Sequence, residues 1–457
     1  MYKTLRGPLS VQIEIESACT NACLHCYNFW RREQKSQTTE NRMSVDSVEK
    51  IITKLAEEKV FQIVFTGGEP LLNKLVLFYG LELAHKLRIG ISLNSNLVLL
   101  TEKDAHLLKQ LRIYSVLTSV LGPNKEIHDS ITLNKGSFDK TIQGIKLLQK
   151  YNIYPTVNIV ISKKNKDYLK DTMRYLVSLG VKHISSTRVG WPGNCSDFSS
   201  FSLSFNEFQD YLKNFTDATQ ELNIPTAVLE SYPYCGMREL SSYQRFLGRR
   251  CNAGVTTLTI GVDGSVRPCS HLNVQYGNLL TEDLKTIWLR MESWRNGNML
   301  PLLCKICPLL HDCGGGCRME AKMQNGSYSA LDPYCSLTDI EYTLQQLHKI
   351  RRSKKMIETI PFLFTLNDIR IRDEVFGSVV FVGNHTGAYL NHEATDFLRR
   401  LKPHHIYSLD DIIVWDEYDK DNLVKFISGL VAKQIIVAVN KGGDNNELSA
   451  SKATIKI

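Results

Sequence analysis

Three cysteines lie close together behind a strand-like run, in the stretch IESACTNACLHCYNF at residues 15–29. Cys19, Cys23 and Cys26 follow the spacing Cys-x3-Cys-x2-Cys. Three thiolates at this spacing can bind three irons of a four-iron cluster and leave the fourth iron without a protein ligand. A structural zinc ion needs four ligands, and His25 is wedged between two of the cysteines, where the loop would have to be strained to supply it. The spacing favours a cluster and leaves zinc as the alternative.

A second group of cysteines lies between residues 235 and 335, which hold eight of the twelve cysteines. In a long chain without a signal-peptide pattern, cysteines indicate metal ligands or redox centres rather than disulfides. Seven of them read Cys251-x12-Gly264-x4-Cys269, Cys304-x2-Cys307-x5-Cys313-x3-Cys317 and Cys335. Cys235 precedes this pattern in the stretch YPYCGM. Two structural zinc sites are the alternative to iron–sulfur clusters here as well.

A glycine turn, TGGEP, follows the second strand-like run and contains Gly67, Gly68, Glu69 and Pro70. Two glycines let the backbone approach a ligand closely, and the glutamate supplies a carboxylate for an ammonium group. Such a turn is weak evidence alone and gains weight from its place beside the cysteine triplet.

The elements that must position these residues alternate between strand-like and helix-like patterns from residue 8 to about 190. The strand candidates are SVQIEIE (10–16), FQIVFT (61–66), GISLNS (90–95), YSVLTSV (114–120), TVNIVIS (156–162) and HISSTRV (183–189). This alternation predicts a parallel sheet with helices outside it, and six units suffice for a partial α/β barrel. Chemistry in such folds occurs at the carboxyl ends of the strands, where the triplet and the glycine turn both lie.

Together, the triplet and TGGEP resemble the radical S-adenosylmethionine (radical SAM) superfamily over residues 8 to about 200. The resemblance implies a partial (β/α)6 barrel, a [4Fe–4S] cluster on the triplet, and S-adenosylmethionine as cofactor. It also implies that TGGEP holds the amino group of the methionine moiety. Reductive cleavage of the cofactor would give a 5′-deoxyadenosyl radical that abstracts a substrate hydrogen.

Five more residues are candidate cofactor contacts by the same resemblance, namely His25, Asn94, Ser119, Asn158 and Arg188. The stretches SLNSN (92–96) and SVLGPNKEIHD (119–129) resemble those that bind the ribose and the carboxylate. Leu121 stands where the family carries an aspartate. Each candidate is alternatively a satisfied polar group at the barrel mouth, and the sequence names no catalytic acid or base.

The later cysteines resemble the seven-cysteine SPASM extension, which carries two auxiliary [4Fe–4S] clusters. The resemblance assigns Cys251, Cys269 and Cys317 to the first cluster. It assigns Cys304, Cys307, Cys313 and Cys335 to the second. We expect Cys235 to complete the first set; otherwise one iron of that cluster is open to a substrate thiolate.

Two residues outside these sets bear on the function. Cys195 is expected to be a free thiol. Sulfatase-maturing members carry an aspartate immediately after the cysteine that matches Cys269, and here that residue is Ser270. Sulfatase maturation therefore ranks low.

The region 357–440 resembles the PqqD-like peptide-recognition fold, a three-stranded winged-helix module, on the stretch FGSVVFVGNHTGAYLNHEATDFLRRL. Such a module can bind a leader peptide as an added strand at a sheet edge. An ordinary winged-helix appendage for stability or dimer contact is the alternative.

These patterns predict an α/β protein in which a partial (β/α)6 barrel precedes a cysteine-rich SPASM domain and a small winged-helix-like α+β domain. The predicted parts are a barrel at 1–230, a SPASM domain at 231–340, a helical linker at 341–356, a peptide-recognition domain at 357–440 and a disordered tail at 441–457.

The predicted function is maturation of a ribosomally made precursor peptide, most simply through a thioether or a C–C or C–O crosslink, with three [4Fe–4S] clusters and S-adenosylmethionine. The alternatives are a small-molecule enzyme, a sulfatase-type maturase and a non-catalytic iron–sulfur scaffold. We expect an external donor such as flavodoxin or ferredoxin. The net charge of +8 is mild and dispersed, so nucleic acid is not an expected partner. Without an apolar run long enough to span a membrane, we expect a cytoplasmic protein.

Overall fold

The computed structural model describes residues 4–28, 42–190, 197–336, 340–353, 363–383, 385–408, 411–412 and 420–439. Cys195 and the predicted tail at 441–457 lie outside these ranges. The chain divides into two compact units, Met1–Lys355 and Met356–Ile457, which are described separately.

One ten-stranded sheet forms the centre of the first unit, in the order β10-β9-β8-β1-β2-β3-β4-β5-β6-β7. Its strands are β1 Ser10–Glu16, β2 Gln62–Gly67, β3 Gly90–Asn94, β4 Ser115–Ser119, β5 Thr156–Ile161, β6 His183–Arg188, β7 Thr226–Val228, β8 Thr257–Ile260, β9 Ser265–Arg267 and β10 Gly277–Asn278. Strands β1 to β6 are parallel neighbours in chain order, which confirms the predicted α/β arrangement. The carboxyl ends of all six therefore lie at one edge of the sheet.

The sheet continues beyond the six predicted strands on both sides. Strand β7 adds in parallel to β6, and β8 adds in parallel to β1. Strands β9 and β10 complete an antiparallel extension. Strands β8 and β9 belong to the sheet that carries the triplet, and Cys269 follows β9 directly. The cysteine-rich segment is therefore connected to that sheet.

Helices of the first unit cover the parallel strands. They are α1 Val45–Glu57, α2 Lys74–Lys86, α3 Glu102–Gln110, α4 Lys125–Thr132, α5 Ser137–Lys150, α6 Leu169–Ser178, α7 Phe198–Phe201, α8 Phe205–Leu222, α9 Leu284–Arg290, α10 Leu302–Lys305, α11 Leu310–Cys313, α12 Arg318–Asn325 and α13 Ile340–Ser353. Helix α1 shows why they form: the Ser44 side chain caps its first turn, and its buried residues recur at helical spacing toward the sheet.

The core lies between these helices and the parallel strands. Ile13, Phe65 and Leu93 are fully buried, as expected for strands covered on both faces. Gly264, the glycine of the cysteine pattern, has φ +81°, and a Cβ there would lie 2.6 Å from Asn278 Oδ1. Only glycine fits this tight turn between β8 and β9.

Helix α13 covers most of the segment predicted as a linker and lies within the first unit. The Ser241 backbone N–H donates to Gln346 Oε1 of this helix at 3.0 Å. None of the helices in the described ranges has the length and apolar character that crossing a bilayer requires.

The second unit contains two three-stranded sheets, ordered β15-β11-β16 and β12-β13-β14. Its elements are β11 Leu363–Leu366, β12 Ile369–Glu374, β13 Gly377–Val382, β14 His385–Leu390, α14 His392–Arg400, β15 Ile406–Ser408, α15 Lys420–Ala432 and β16 Ile436–Ala438. The sequence predicts a single three-stranded sheet, and this count is wrong. The short strands β15 and β16, of three residues each, give too little alternation to be recognised.

Candidate functional site

The loop that carries the triplet is held at the carboxyl end of β1. Ala22 N donates to Thr132 O at 2.8 Å, and Leu24 N donates to Ile131 O at 2.9 Å, so the end of α4 supports the loop. Cys19 is exposed, whereas Cys23 and Cys26 are half-buried. The sequence prediction that these thiols lie at the active edge of the sheet agrees with this geometry.

The glycine turn packs directly against the backbone that leads into the triplet. Gly68 N donates to Glu16 O at 2.6 Å, and Glu69 N donates to Ala18 O at 2.8 Å. A Cβ on Gly68 would lie 2.1 Å from Ala18 O. Gly67 has φ +141°, and its Cβ would lie 2.3 Å from Glu16 O. The two glycines are required by this close approach of two loops.

The Glu69 carboxylate is completely buried and accepts hydrogen bonds from three protein groups. Its donors are Leu71 N at 3.0 Å, Ser95 Oγ at 2.7 Å and Asn96 N at 2.8 Å. Burial raises the pKa of this carboxyl, and the hydrogen bonds act in the opposite direction. In this conformation Glu69 ties the turn that begins at Pro70 to the end of β3. Its contact with the cofactor ammonium group stays a prediction.

Asn96 connects the glycine turn to the cysteine loop, a role that the sequence reasoning missed. Its side-chain Nδ2 donates to Thr20 Oγ1 at 2.8 Å and lies 3.7 Å from Cys19 Sγ, while its backbone N–H binds Glu69. Asn94, the predicted contact, is the last residue of β3. The stretch SLNSN contains both asparagines, and the second lies beyond the strand end, in the loop where ligand contacts concentrate.

Ser119, the last residue of β4, is paired with Asn158, the third residue of β5. Ser185 Oγ and Thr187 Oγ1 each donate to Asn158 Oδ1 at 3.1 Å. The structure thus brings these two candidates together and fixes the orientation of the asparagine amide.

Two histidines with lowered pKa values, His25 and His128, lie near the triplet loop. Burial and then His128 lower the pKa of His25 to about 4, so its ring is neutral at pH 7. Burial also lowers the pKa of His128 to about 4, and His128 Nδ1 accepts from Leu121 N at 3.1 Å. The Leu121 side chain packs in a buried cluster with Ile131 and Val189. Leu121 is therefore a core residue at the position where the family carries an aspartate.

A pH dependence follows from His128. Its folded-state pKa lies below the usual value of about 6.5, so the unfolded chain binds the proton more readily and stability falls as pH drops from about 6.5 toward 4. We expect His128→Asn, whose Oδ1 can accept the Leu121 N–H but does not titrate, to flatten this decline. Thermal unfolding midpoints across this range measure it. His25 shifts in the same direction, so part of the decline should remain; equal slopes in variant and wild type would contradict the assignment.

Arg188 lies at the end of β6 in a buried cluster that sequence reasoning did not foresee. Its Nε is 3.6 Å from Glu230 Oε2, its Nη1 is 3.4 Å from Glu320 Oε2, and its guanidinium carbon is 4.2 Å from the Tyr334 ring centre. Burial raises the pKa of Glu230 to about 8 despite this arginine. Arg188 therefore faces carboxylates of the cysteine-rich segment, and its predicted contact with the cofactor stays untested.

Removing Arg188 should destabilise the first unit strongly. Arg188→Leu removes the buried cation that lies between Glu230 and Glu320, and loss of one partner of a buried ion pair typically costs about 3–5 kcal/mol. As a matched control, Arg174→Leu removes an exposed ion pair with Glu221 at 2.9 Å and should cost less than about 1 kcal/mol. Denaturant unfolding of the reconstituted proteins measures both. Equal destabilisation by the two variants would contradict the importance of the buried cluster.

The later cysteines fall into two groups. Cys235, Cys304, Cys307, Cys313 and Cys335 line one cavity. The other group contains Cys251, Cys269 and Cys317. Burial raises the pKa of the Cys269 and Cys317 thiols most, and the nearby Cys251 raises both further. The prediction that Cys235 joins the first set is therefore wrong. The segment before Cys235 is anchored on Cys313, because Tyr234 N donates to Cys313 Sγ at 3.4 Å.

An aromatic pair links the triplet loop to the group that contains Cys251, Cys269 and Cys317. The Tyr27 ring stacks on His271 with centroids 4.3 Å apart. His271 N in turn donates to Cys269 Sγ at 3.5 Å. The stack therefore places the triplet loop next to the segment that follows Cys269.

Comparison with known protein families identifies both parts of the first unit. The model described as "Radical SAM superfamily" matches residues 13–193, and the SPASM model, described as "Iron-sulfur cluster-binding domain", matches residues 251–313. The chain contains a radical SAM domain and a SPASM domain. Its cofactors are S-adenosylmethionine, a [4Fe–4S] cluster of the radical SAM domain and auxiliary iron–sulfur clusters of the SPASM domain.

Curated relatives of this radical SAM enzyme act on different substrates. An AdoMet-dependent heme synthase of Methanosarcina barkeri is 24% identical over 73% of this chain and 98% of its own length. The PqqA peptide cyclase of Bradyrhizobium diazoefficiens is 23% identical over 75% of this chain and 90% of its own. The subtilosin biosynthesis protein AlbA of Bacillus subtilis is 25% identical over 62% of this chain and 59% of its own.

Solved structures share the fold. Native anSMEcpe with bound AdoMet has a TM-score of 0.60 and 22% identity, and covers 76% of this chain and all of its own. Streptococcus suis SuiB bound to precursor peptide SuiA has a TM-score of 0.58 and 16% identity, and covers 73% of this chain and 77% of its own. At these identities the likeness concerns the fold alone.

The donor set of the second cysteine group fits an iron–sulfur cluster. Five thiols line its cavity together with apolar side chains, and cysteine thiolates are the ligands of such clusters. Burial raises the pKa of Cys313 to about 12, so binding of metal must release its proton.

Proposed function

We propose that this radical SAM enzyme is a peptide maturase that abstracts hydrogen from a ribosomally made precursor peptide and forms a thioether or a C–C or C–O crosslink. The observation that carries the proposal is a second compact unit with open sheet edges, joined to a unit with a radical SAM and a SPASM domain. The PqqA cyclase and AlbA relatives, and SuiB with its precursor peptide, support a peptide substrate.

In this proposal Cys19, Cys23 and Cys26 hold the radical SAM cluster. When bound and reduced, that cluster supplies the electron that splits S-adenosylmethionine into methionine and the 5′-deoxyadenosyl radical. Gly67 and Gly68 keep the cofactor site close to the triplet through their contacts with residues 16–18. The neutral His25 ring offers a flat surface beside the triplet for the adenine, and Ser119 and Asn158 offer polar groups on the paired strands β4 and β5.

The auxiliary sites would remove the second electron that an oxidative crosslink releases. We assign Cys251, Cys269 and Cys317 to the first auxiliary cluster. We assign Cys304, Cys307, Cys313 and Cys335, with Cys235 beside them, to the second. A flavodoxin or ferredoxin would supply the first electron. The Tyr27–His271 stack holds the two regions together and so sets the distance between the radical and the first auxiliary site.

The second unit would bind the leader part of the precursor. Strands β12 and β14 each pair with β13 on one side only within the described residues. An outer edge of this kind offers unpaired N–H and C=O groups to an extended peptide. Tyr389 of β14 is 40% exposed and provides a side-chain contact for such an added strand.

A small-molecule substrate is the second candidate, because heme synthases are among the relatives. The alignment spans 98% of the Methanosarcina barkeri protein but only 73% of this chain, so a large part of this chain has no counterpart there. A peptide-binding second unit gives that additional part a use.

The test is to incubate short peptides encoded beside the gene with reconstituted protein, S-adenosylmethionine and reductant without oxygen. Mass spectrometry should show loss of two hydrogens from one peptide, and fragmentation should locate the crosslink. The same peptide without its leader is the matched control and should react much more slowly. Accumulation of 5′-deoxyadenosine with no change in any peptide would overturn the proposal and favour the small-molecule candidate.

A further inference from the structure

The second auxiliary site has more thiols than one cluster uses. Cys235, Cys304, Cys307, Cys313 and Cys335 all line its cavity, together with the apolar side chains of Pro233, Leu309 and Leu310. A four-iron cluster has four irons and takes at most four cysteine ligands when each iron has one. One of the five thiols is therefore not a ligand when the other four bind the cluster.

Contacts between two chain segments identify which thiols compete. Cys235 and Cys335 lie on two segments that meet at the cavity, and both residues line it. Their backbones also touch, because a Cβ on Gly236 would lie 2.0 Å from Tyr334 O. Cys335 N donates to Asp332 O at 2.9 Å, which fixes the second segment. The close approach of the two segments therefore makes Cys235 and Cys335 neighbours on the lining of the cavity.

The other cavity cysteines are held by separate elements. Cys304 and Cys307 lie on and just after α10, and Cys307 N donates to Cys304 O at 3.2 Å. Cys313 ends α11 and is buried. Each of these three would bind its own iron without a neighbouring thiol to replace it.

We propose that Cys235 and Cys335 share one corner of the second auxiliary cluster, so that either thiolate completes the ligand set. The proposal rests on the ligand assignment of the proposed function. In an exchange of the two ligands, the Fe–S bond to Cys335 would break as an Fe–S bond to Cys235 formed. The Cys235 thiol would give its proton to the Cys335 thiolate, so charge and protons would balance without an oxidant. The first auxiliary cluster keeps three cysteines and one iron without a cysteine ligand.

Iron and sulfide analysis of reconstituted variants tests this sharing. Wild type, Cys235→Ala and Cys335→Ala should each retain about twelve irons, because four thiols remain at the site in every case. During a chelator challenge, the double variant should release about four irons faster than the wild type or either single variant, because only three thiols remain at this site. Cys304→Ala, which removes a thiol from the same cavity but without a neighbour to replace it, should show the same faster release. Cys307→Ala serves the same purpose if Cys304→Ala fails to fold, as judged by circular dichroism.

The outcomes separate this inference from the proposed function. Fast release of about four irons from Cys335→Ala alone, or release from the double variant at the wild-type rate, would overturn the sharing. Fewer than about twelve irons in the wild type would instead contradict the ligand assignment on which it rests. Alkylation of the native reconstituted protein gives an independent readout. One thiol of the Cys235–Cys335 pair should be modified, and modification of neither or both would contradict the sharing.

Discussion

Cys26→Ala will abolish production of 5′-deoxyadenosine. Cys26 is one of three thiols on the loop after β1, and Cys26 N donates to Cys23 O at 3.1 Å, so the two thiols share one tight turn. Only two thiolates would then remain to hold a cluster that needs three. Without that cluster, no electron reaches the cofactor and cleavage stops. Anaerobic assays with dithionite, followed by chromatography of the nucleoside, measure the loss.

Cys195→Ala is the matched control for this first prediction. We predict Cys195 to be a free thiol, so its removal should leave cofactor cleavage unchanged. Cofactor cleavage by Cys26→Ala at the wild-type rate would show that the triplet does not hold the reactive cluster.

Gly68→Ala should reduce cofactor cleavage by about 100-fold, the loss that misplacement of reacting groups by about 1 Å can cause. A methyl group at this position would meet Ala18 O at 2.1 Å and Ser17 O at 2.6 Å. The loop must then move, and Cys19 follows directly behind it. Initial rates of 5′-deoxyadenosine formation and equilibrium binding of S-adenosylmethionine measure the effect.

Gly429→Ala is the matched control for Gly68→Ala. Gly429 lies in α15, where an added Cβ meets nothing within 4 Å. Alanine favours a helix relative to glycine, so this variant should cleave the cofactor normally. Near-normal cleavage by Gly68→Ala would contradict the structural requirement for the close approach of the two loops.

The parallel strands and the triplet could be predicted because their signals are local. Each strand is a short apolar run such as QIVFTG, and its burial on both faces leaves a pattern that needs no knowledge of distant residues. The cysteine spacing likewise reports one loop. The active edge of the sheet then follows from the general rule for α/β folds.

The pairing of distant segments could not be predicted in the same way. Cys235 joins the second set because Gly236 packs on Tyr334, a contact between segments far apart in the chain. The contacts of Arg188 with Glu230 and Glu320 likewise join segments that are far apart in the chain. Spacing within a motif does not report such contacts, which is why the expected place of Cys235 in the first set differs from the place that the structure gives it.

The most direct test of peptide maturation follows the abstracted hydrogen itself. A precursor peptide made from fully deuterated amino acids would be incubated with the protein, S-adenosylmethionine and reductant, and the 5′-deoxyadenosine analysed by mass spectrometry. We predict one deuterium in the nucleoside, formed together with the crosslinked peptide. 5′-Deoxyadenosine that carries no deuterium, while the peptide remains unmodified, would contradict a peptide substrate.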